Sequence, residues 1–275
     1  MFPSQTRENP DMTKANGARI VVGGAACVAM MLAANSAQAE EAEVLKILRT
    51  MTEHVSRQST LSVKYDSDVE VVTPGLEKIQ FSASGEVALN RPDKFRATRT
   101  GGYADVEIVS DGSTVTVHDR DGKQFAQLQA VGGFDKLVEK LRSDSMIEVP
   151  GADLLLSNAF DELTAGVIEG RVIGSGVVDG VPCDHLAFRN LDTDWQIWIE
   201  SGEQPLPRKY VITSKTLATA PQYTLRLRDW KSGDAVAADA FKFTPPSGTN
   251  RVEVTTLHID EVPAAKPQEA QNVHR

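Results

Sequence analysis

Between Leu61 and Trp230 apolar residues return at every second position, in short runs separated by Gly, Asp and Pro. Such alternation gives each run one apolar and one polar face, the pattern of strands in a sheet with a single buried side. Leu61, Val63 and Tyr65 open the series, and Val69, Val71 and Val72 lead into Pro74-Gly75. Ile79, Phe81 and Ala83 resume beyond that turn, which predicts an antiparallel hairpin. Residues 95–100, 103–109, 114–118 and 124–129 predict four further strands, with turns at Asp111-Gly112 and Asp121-Gly122. Residues 168–178, 181–188, 195–200, 208–213 and 223–230 predict five more, followed by a last strand ending near Phe243.

Two segments break this period. Val44, Leu45, Ile47, Leu48, Met51 and Val55 recur at helical spacing, as do Phe134, Leu137, Val138 and Leu141; the apolar Leu154-Leu155-Leu156 and Phe160 follow the second set. About a dozen strands with two helical regions and no βαβ alternation predict an α+β domain whose antiparallel sheet packs against helices. No linker composition interrupts residues 40–262, so one domain is expected there. Residues 263–275, rich in Ala, Pro, Gln and Glu, read as a disordered tail.

Residues 1–39 have a different character. Lys14 and Arg19 precede an apolar run from Ile20 to Ala34, and Ala37-Gln38-Ala39 closes the segment. A basic start, a short hydrophobic stretch and an Ala-x-Ala exit are the parts of a secretory signal, predicting cleavage after Ala39 and a periplasmic location; the residues before Met12 read as an upstream extension. The apolar run is too short and too rich in Gly and Ala for a stable membrane-spanning helix, which favours cleavage over retention as an anchor, and with no second long apolar run no integral span is expected in the mature chain. Cys27 lies in this run, but Gly24 stands where a lipidation signal wants Leu. The cleaved chain keeps Cys183 alone and can form no internal disulfide.

With a formal net charge of −9 and no basic stripe, the chain is a poor partner for nucleic acid or for anionic membrane surfaces. Motifs of catalysis are missing: no Gly-x-Ser-x-Gly elbow, no His-Glu-x-x-His and no phosphate-binding glycine loop. Asp119-Arg120-Asp121-Gly122 lacks the alternating oxygen ligands of a calcium loop and reads as a hairpin turn. Cys183 and His185 share a strand face and could donate two metal ligands, but two more are needed, and a buried thiol beside a hydrogen-bonded imidazole accounts for them better. Trp195, Ile197 and Ile199 fall on one face of their strand, with Gln196, Trp198 and Glu200 on the other. No catalytic residue, metal or cofactor is expected.

Three landmarks, Asn90-Arg91-Pro92-Asp93-Lys94-Phe95, Ile108-Val109-Ser110-Asp111-Gly112-Ser113-Thr114 and Phe241-Lys242-Phe243-Thr244-Pro245-Pro246-Ser247-Gly248, resemble those of the periplasmic lipoprotein-localisation (Lol-type) carriers. The middle of the chain, especially Gly180 to Phe188, Trp195 to Glu200 and Pro205 to Lys209, is more similar to a predicted periplasmic family, domain of unknown function 2092. The carrier resemblance implies a strongly curved antiparallel sheet forming an incomplete β-barrel, with helices packed in its open side as a lid and acyl chains received between them. It implies a lid-locking role for Arg91 and a cavity-lining role for Phe95. The departures are Ala97, where an aromatic commonly follows, and a longer middle section. The function so implied is noncatalytic binding of a lipid, acyl chain or lipoprotein. The alternative is an envelope protein-interaction or stress-sensing module that uses the same fold without lipid transport.

Overall fold

The computed structural model describes residues 23–130, 132–144, 151–237, 239–257, 259–260 and 262, without the side chains of 23–39 and 141–144. The predicted tail at 263–275 and the basic start of the predicted signal lie outside the described residues. By internal contacts the chain divides into Met1–Ala39 and Glu40–Arg275, and the sheet and its core belong to the second unit.

Eleven strands alternate as the sequence predicts: β1 Thr60–Val72, β2 Lys78–Asn90, β3 Lys94–Gly101, β4 Asp105–Asp111, β5 Thr114–Asp119, β6 Gln124–Gln129, β7 Glu169–Val178, β8 Val181–Arg189, β9 Thr193–Glu200, β10 Pro207–Ser214 and β11 Gln222–Ser232. With a two-residue β12 at Asn250–Arg251 they form one unclosed sheet in the order β12-β6-β5-β4-β3-β2-β1-β11-β10-β9-β8-β7. Helix α1 spans Gly23–Ser56, α2 spans Phe134–Asp144, and α3 spans Ala159–Thr164, preceded by a 3₁₀ turn at Ala152–Leu155.

The sheet is curved, and its inward face carries one continuous hydrophobic cluster that runs from Val115 of β5 to Leu186 of β8. Val44, Leu48, Met51 and Val55 of α1 form the stripe predicted for that helix, and all four are buried in the same cluster. Arg49, next to that stripe, lies 3.6 Å over the ring of Phe160 in α3. Helices therefore occupy the concave side.

Two expectations about the strands need correction. Tyr103 precedes β4 instead of joining it; it is 55% exposed and meets Phe81 edge to face. No strand ends near Phe243. After β11 the chain makes a 3₁₀ turn at Gly233–Ala235; Phe241 is buried, and Phe243 packs on the sheet's convex face, its ring 5.4 Å from both His118 and Phe125. Pro245 and Pro246 lack the N–H groups a ladder requires. Pairing resumes only at β12, which runs parallel to β6, the one parallel pair among the described residues. From there the chain rounds the β6 edge, and Val254, Leu257 and Ile259 pack beside Val106, Val117 and Ala126.

Candidate functional site

Under β1–β6 the concave side is not filled. A cavity of about 440 Å³ lies between the sheet, α2 and the 3₁₀ turn. On the sheet side, inward positions of successive strands supply Val63, Tyr65, Val87, Phe95, Ile108 and Val117. The lid side supplies Phe134, Leu137, Leu154 and Leu155, and Val254 and Ile259 reach it from the C-terminal segment. Its size and apolar lining are those of a small-molecule site.

Glycine shapes one wall. A Cβ on Gly85 would fall 1.9 Å from the Thr98 carbonyl oxygen and 2.7 Å from the Tyr65 ring. Its absence lets that ring lie across β2 and donate its hydroxyl to the Thr98 carbonyl at 2.9 Å. Trp230 enters by another route. A register shift between β1 and β11, with Asp229 at φ 54°, breaks the alternation there; Trp230 lines the cavity and its indole N–H donates to the Pro207 carbonyl at 3.2 Å. Period-two reading cannot see a bulge of this kind.

Phe95 lies on the cavity wall, 4% exposed, its ring 5.7 Å from that of Phe134 and edge on. Ala97, two positions on, also faces the cavity, and its small side chain leaves room. Arg91 follows β2. Its Nε donates to the Gln58 carbonyl at 3.2 Å, just past α1, and its terminal nitrogen donates to the Leu155 carbonyl of the 3₁₀ turn at 2.7 Å. Burial lowers the guanidinium's pKa, and the nearby Asp135 opposes that shift. The side chain thus ties the segment just past α1 to the 3₁₀ turn.

Cys183 and His185 are elsewhere. Their partners in register are Glu200 and Trp198, on the face opposite Leu186 and Ile197. The thiol is fully buried, its pKa raised by desolvation, and it donates to the Val181 carbonyl at 3.3 Å. Burial of this kind suppresses the thiolate that nucleophilic or ligating chemistry needs. His185 stacks on Trp198 with ring centroids 4.0 Å apart and meets Gln196 Oε1 at 3.0 Å, while Lys209 covers the same indole at 4.7 Å. Trp195 faces inward and stacks on Phe188.

The residues that sequence reasoning missed are Arg99, Lys140, Trp230, Val254 and Ile259, all on the cavity wall. Arg99 was within reach, since 95, 97 and 99 share one face of a strand. The others depend on a bulge, a lid helix and a segment whose path no periodicity records.

Residues 45–255 match the family described as Predicted periplasmic protein (DUF2092). The outer-membrane lipoprotein carrier protein of Xanthomonas oryzae pv. oryzae (strain MAFF 311018) is 29% identical over 188 residues, which cover 66% of this chain and 77% of the carrier. That of Xanthomonas axonopodis pv. citri (strain 306) is 30% identical over the same shares. Among solved structures, the lipoprotein LppX of Mycobacterium tuberculosis superposes with a TM-score of 0.44 at 13% identity, over 69% of this chain and 96% of that one.

Proposed function

The chain belongs to the DUF2092 family of predicted periplasmic proteins, and from that premise we propose that it binds a hydrophobic or lipid-like ligand noncovalently in the cavity under β1–β6. In this reading the segment up to Ala39 is removed on export, and residues 40–262 act as one binding domain. The observation that carries the reading is the cavity itself: about 440 Å³ of space walled by apolar side chains, in a fold whose other half buries Leu186, Phe188, Ile197 and Ile199 almost completely. Two relatives bear the name of lipoprotein carriers, which agrees with an acyl ligand. No catalysis is proposed, since the reactive side chains singled out in the sequence, Cys183 and His185, do not line the cavity.

Phe95→Glu tests this. A carboxylate aimed into an apolar pocket must stay desolvated or draw water in, at several kcal/mol. Binding of a fluorescent fatty acid by delipidated protein is expected to vanish, with the far-ultraviolet circular dichroism close to wild type. Normal binding by the variant, or none by wild type, overturns the proposal.

A second reading has one observation behind it. β7 is a sheet edge, and Ile173 and Val177 on it are 50% and 69% exposed. Unpaired edges with apolar side chains accept an added strand, so an envelope polypeptide is the partner this reading implies. Wild-type protein that takes up no lipid would bring it forward.

A further inference from the structure

Of the polar side chains on the cavity wall, all but one are engaged within the protein. The Tyr65 hydroxyl donates to the Thr98 carbonyl, the Trp230 indole to the Pro207 carbonyl and Arg99 to the Ile259 carbonyl. The Thr98 hydroxyl accepts the Glu86 backbone N–H at 3.0 Å, and Lys140 and Tyr223 have interactions of their own. Ser67 lines the same wall and has no partner among the described residues. It follows Val63 and Tyr65 on the inward face of β1, between Ala83 of β2 and Leu225 of β11, and is 2% exposed. A buried hydroxyl with nothing to bond destabilises a folded chain, and a group that completes it recovers that loss.

The strand register gives the cavity a direction. Phe95 pairs with Leu89 and Leu89 with Leu61, six positions before Ser67, so Phe95 and Ser67 stand about 20 Å apart along the strands. At the Phe95 level the wall is apolar, with the Phe134 ring edge on; at the Ser67 level it offers one hydroxyl. Among the described residues no Asp or Glu lines the cavity, and both of its cations are engaged. An ionised group drawn inside would therefore lose its hydration without gaining a counter-charge. A neutral oxygen loses less and gains the bond to Ser67.

Resting on the reading of the cavity as a lipid site, we infer that its ligand is an uncharged amphiphile whose buried polar group, a hydroxyl or an ester carbonyl, hydrogen-bonds to the Ser67 hydroxyl while its hydrocarbon runs toward Phe95. A serine hydroxyl both donates and accepts, so a fatty alcohol and an acyl ester share this chemistry.

Competition of decane, decanol, methyl decanoate and decanoate against a fluorescent fatty acid, in delipidated wild type and Ser67→Ala, tests the inference. Ser67→Ala is expected to weaken decanol or methyl decanoate by roughly threefold to tenfold and to leave decane unchanged. The more strongly affected of the two oxygenated ligands identifies the source. Decanoate is expected to bind no more tightly than its methyl ester. The urea midpoint of delipidated Ser67→Ala should equal or exceed that of wild type, because the substitution removes an unmet hydroxyl. A lower midpoint, unchanged affinity for both oxygenated ligands, an equal loss for decane, or decanoate tighter than methyl decanoate overturns the inference and leaves the lipid site standing. Failure of all four to bind overturns the lipid site itself.

Discussion

Under β8–β10 the concave side of the sheet is closed by side chains, whereas under β1–β6 and along β11 the same sheet encloses space. Leu48 and Met51 of α1 share a cluster with Leu186, Phe188, Ile197 and Ile199, all six exposed by 1% or less. Phe188 lies flat on Trp195 with centroids 3.9 Å apart, and a Cβ on Gly170 would meet the Phe188 ring at 2.9 Å, so there is no slack. Across β1 the inward residues are equally apolar, but the cover is a single amphipathic helix and a 3₁₀ turn. One half spends its apolar surface on stability, and the other holds it in reserve.

The same substitution made in both halves measures this difference. Phe188→Ala removes a ring packed on all sides and is expected to cost about 3–5 kcal/mol, with affinity for a bound lipid unchanged. Phe95→Ala removes a ring that already borders a cavity, so fewer contacts are lost and its cost should be smaller by about 1 kcal/mol or more. Urea unfolding of the delipidated variants reads both. Equal costs would mean that the cavity half is packed as tightly as the other, and the contrast would fail.

A smaller effect is expected at the link between the halves. Arg91 holds the carbonyls of Gln58 and Leu155, one beside α1 and one in the lid. Arg91→Leu leaves both carbonyls without that donor and biases the lid toward one state. The expected result is a change of roughly tenfold in ligand dissociation rate, the equivalent of about 1.5 kcal/mol from a charge-assisted hydrogen bond, with unchanged stoichiometry at saturation. Stopped-flow displacement checks this. An unaltered off-rate would confine Arg91 to turning the chain between β2 and β3.

How much of the molecule is legible in its sequence depends on the range of the signal. Alternation is local, so Leu61, Val63 and Tyr65, or Trp195 and Ile197, could be assigned to one face, and the stripe Val44, Leu48, Met51, Val55 named the helix that enters the core. Arg91 and Phe95 are singled out through resemblance rather than through pattern; Phe95 borders the cavity and Arg91 meets the Leu155 carbonyl, and the roles proposed for them are what their variants test. Phe241 and Phe243 misled, because alternation reads the same on a strand as on a segment laid across a sheet face. Trp230 depends on the bulge at Asp229, and Lys140 on how α2 is placed over β5 and β6. Whether a concave face is full or empty depends on the volumes of residues that meet only after folding, such as Gly85 beneath Tyr65 or Ala97 opposite the lid. No local period carries that quantity.

The smallest expected effect concerns what the emptier half has in place of a packed interior. Its hairpins are held at their ends, and Asp111 at the β4–β5 turn shows how: its Oδ1 accepts the backbone N–H groups of Ser113 at 2.9 Å and Thr114 at 2.8 Å, and the Ser113 hydroxyl at 2.8 Å. The bonds from Ser113 and Thr114 favour the carboxylate and depress its pKa. A depressed folded-state pKa means that the contribution is fully present above the ordinary carboxylate value and is lost as pH falls through the folded one. Because the turn is exposed, Asp111→Asn is expected to cost under about 1 kcal/mol at neutral pH. The gap from wild type should narrow as pH falls below the ordinary carboxylate range, because protonation then removes from wild type what the amide lacks at every pH. Urea midpoints of both proteins from pH 7 to pH 3 measure it; a gap that stays constant or widens toward acid would show that the turn does not draw its stability from the charged form of Asp111.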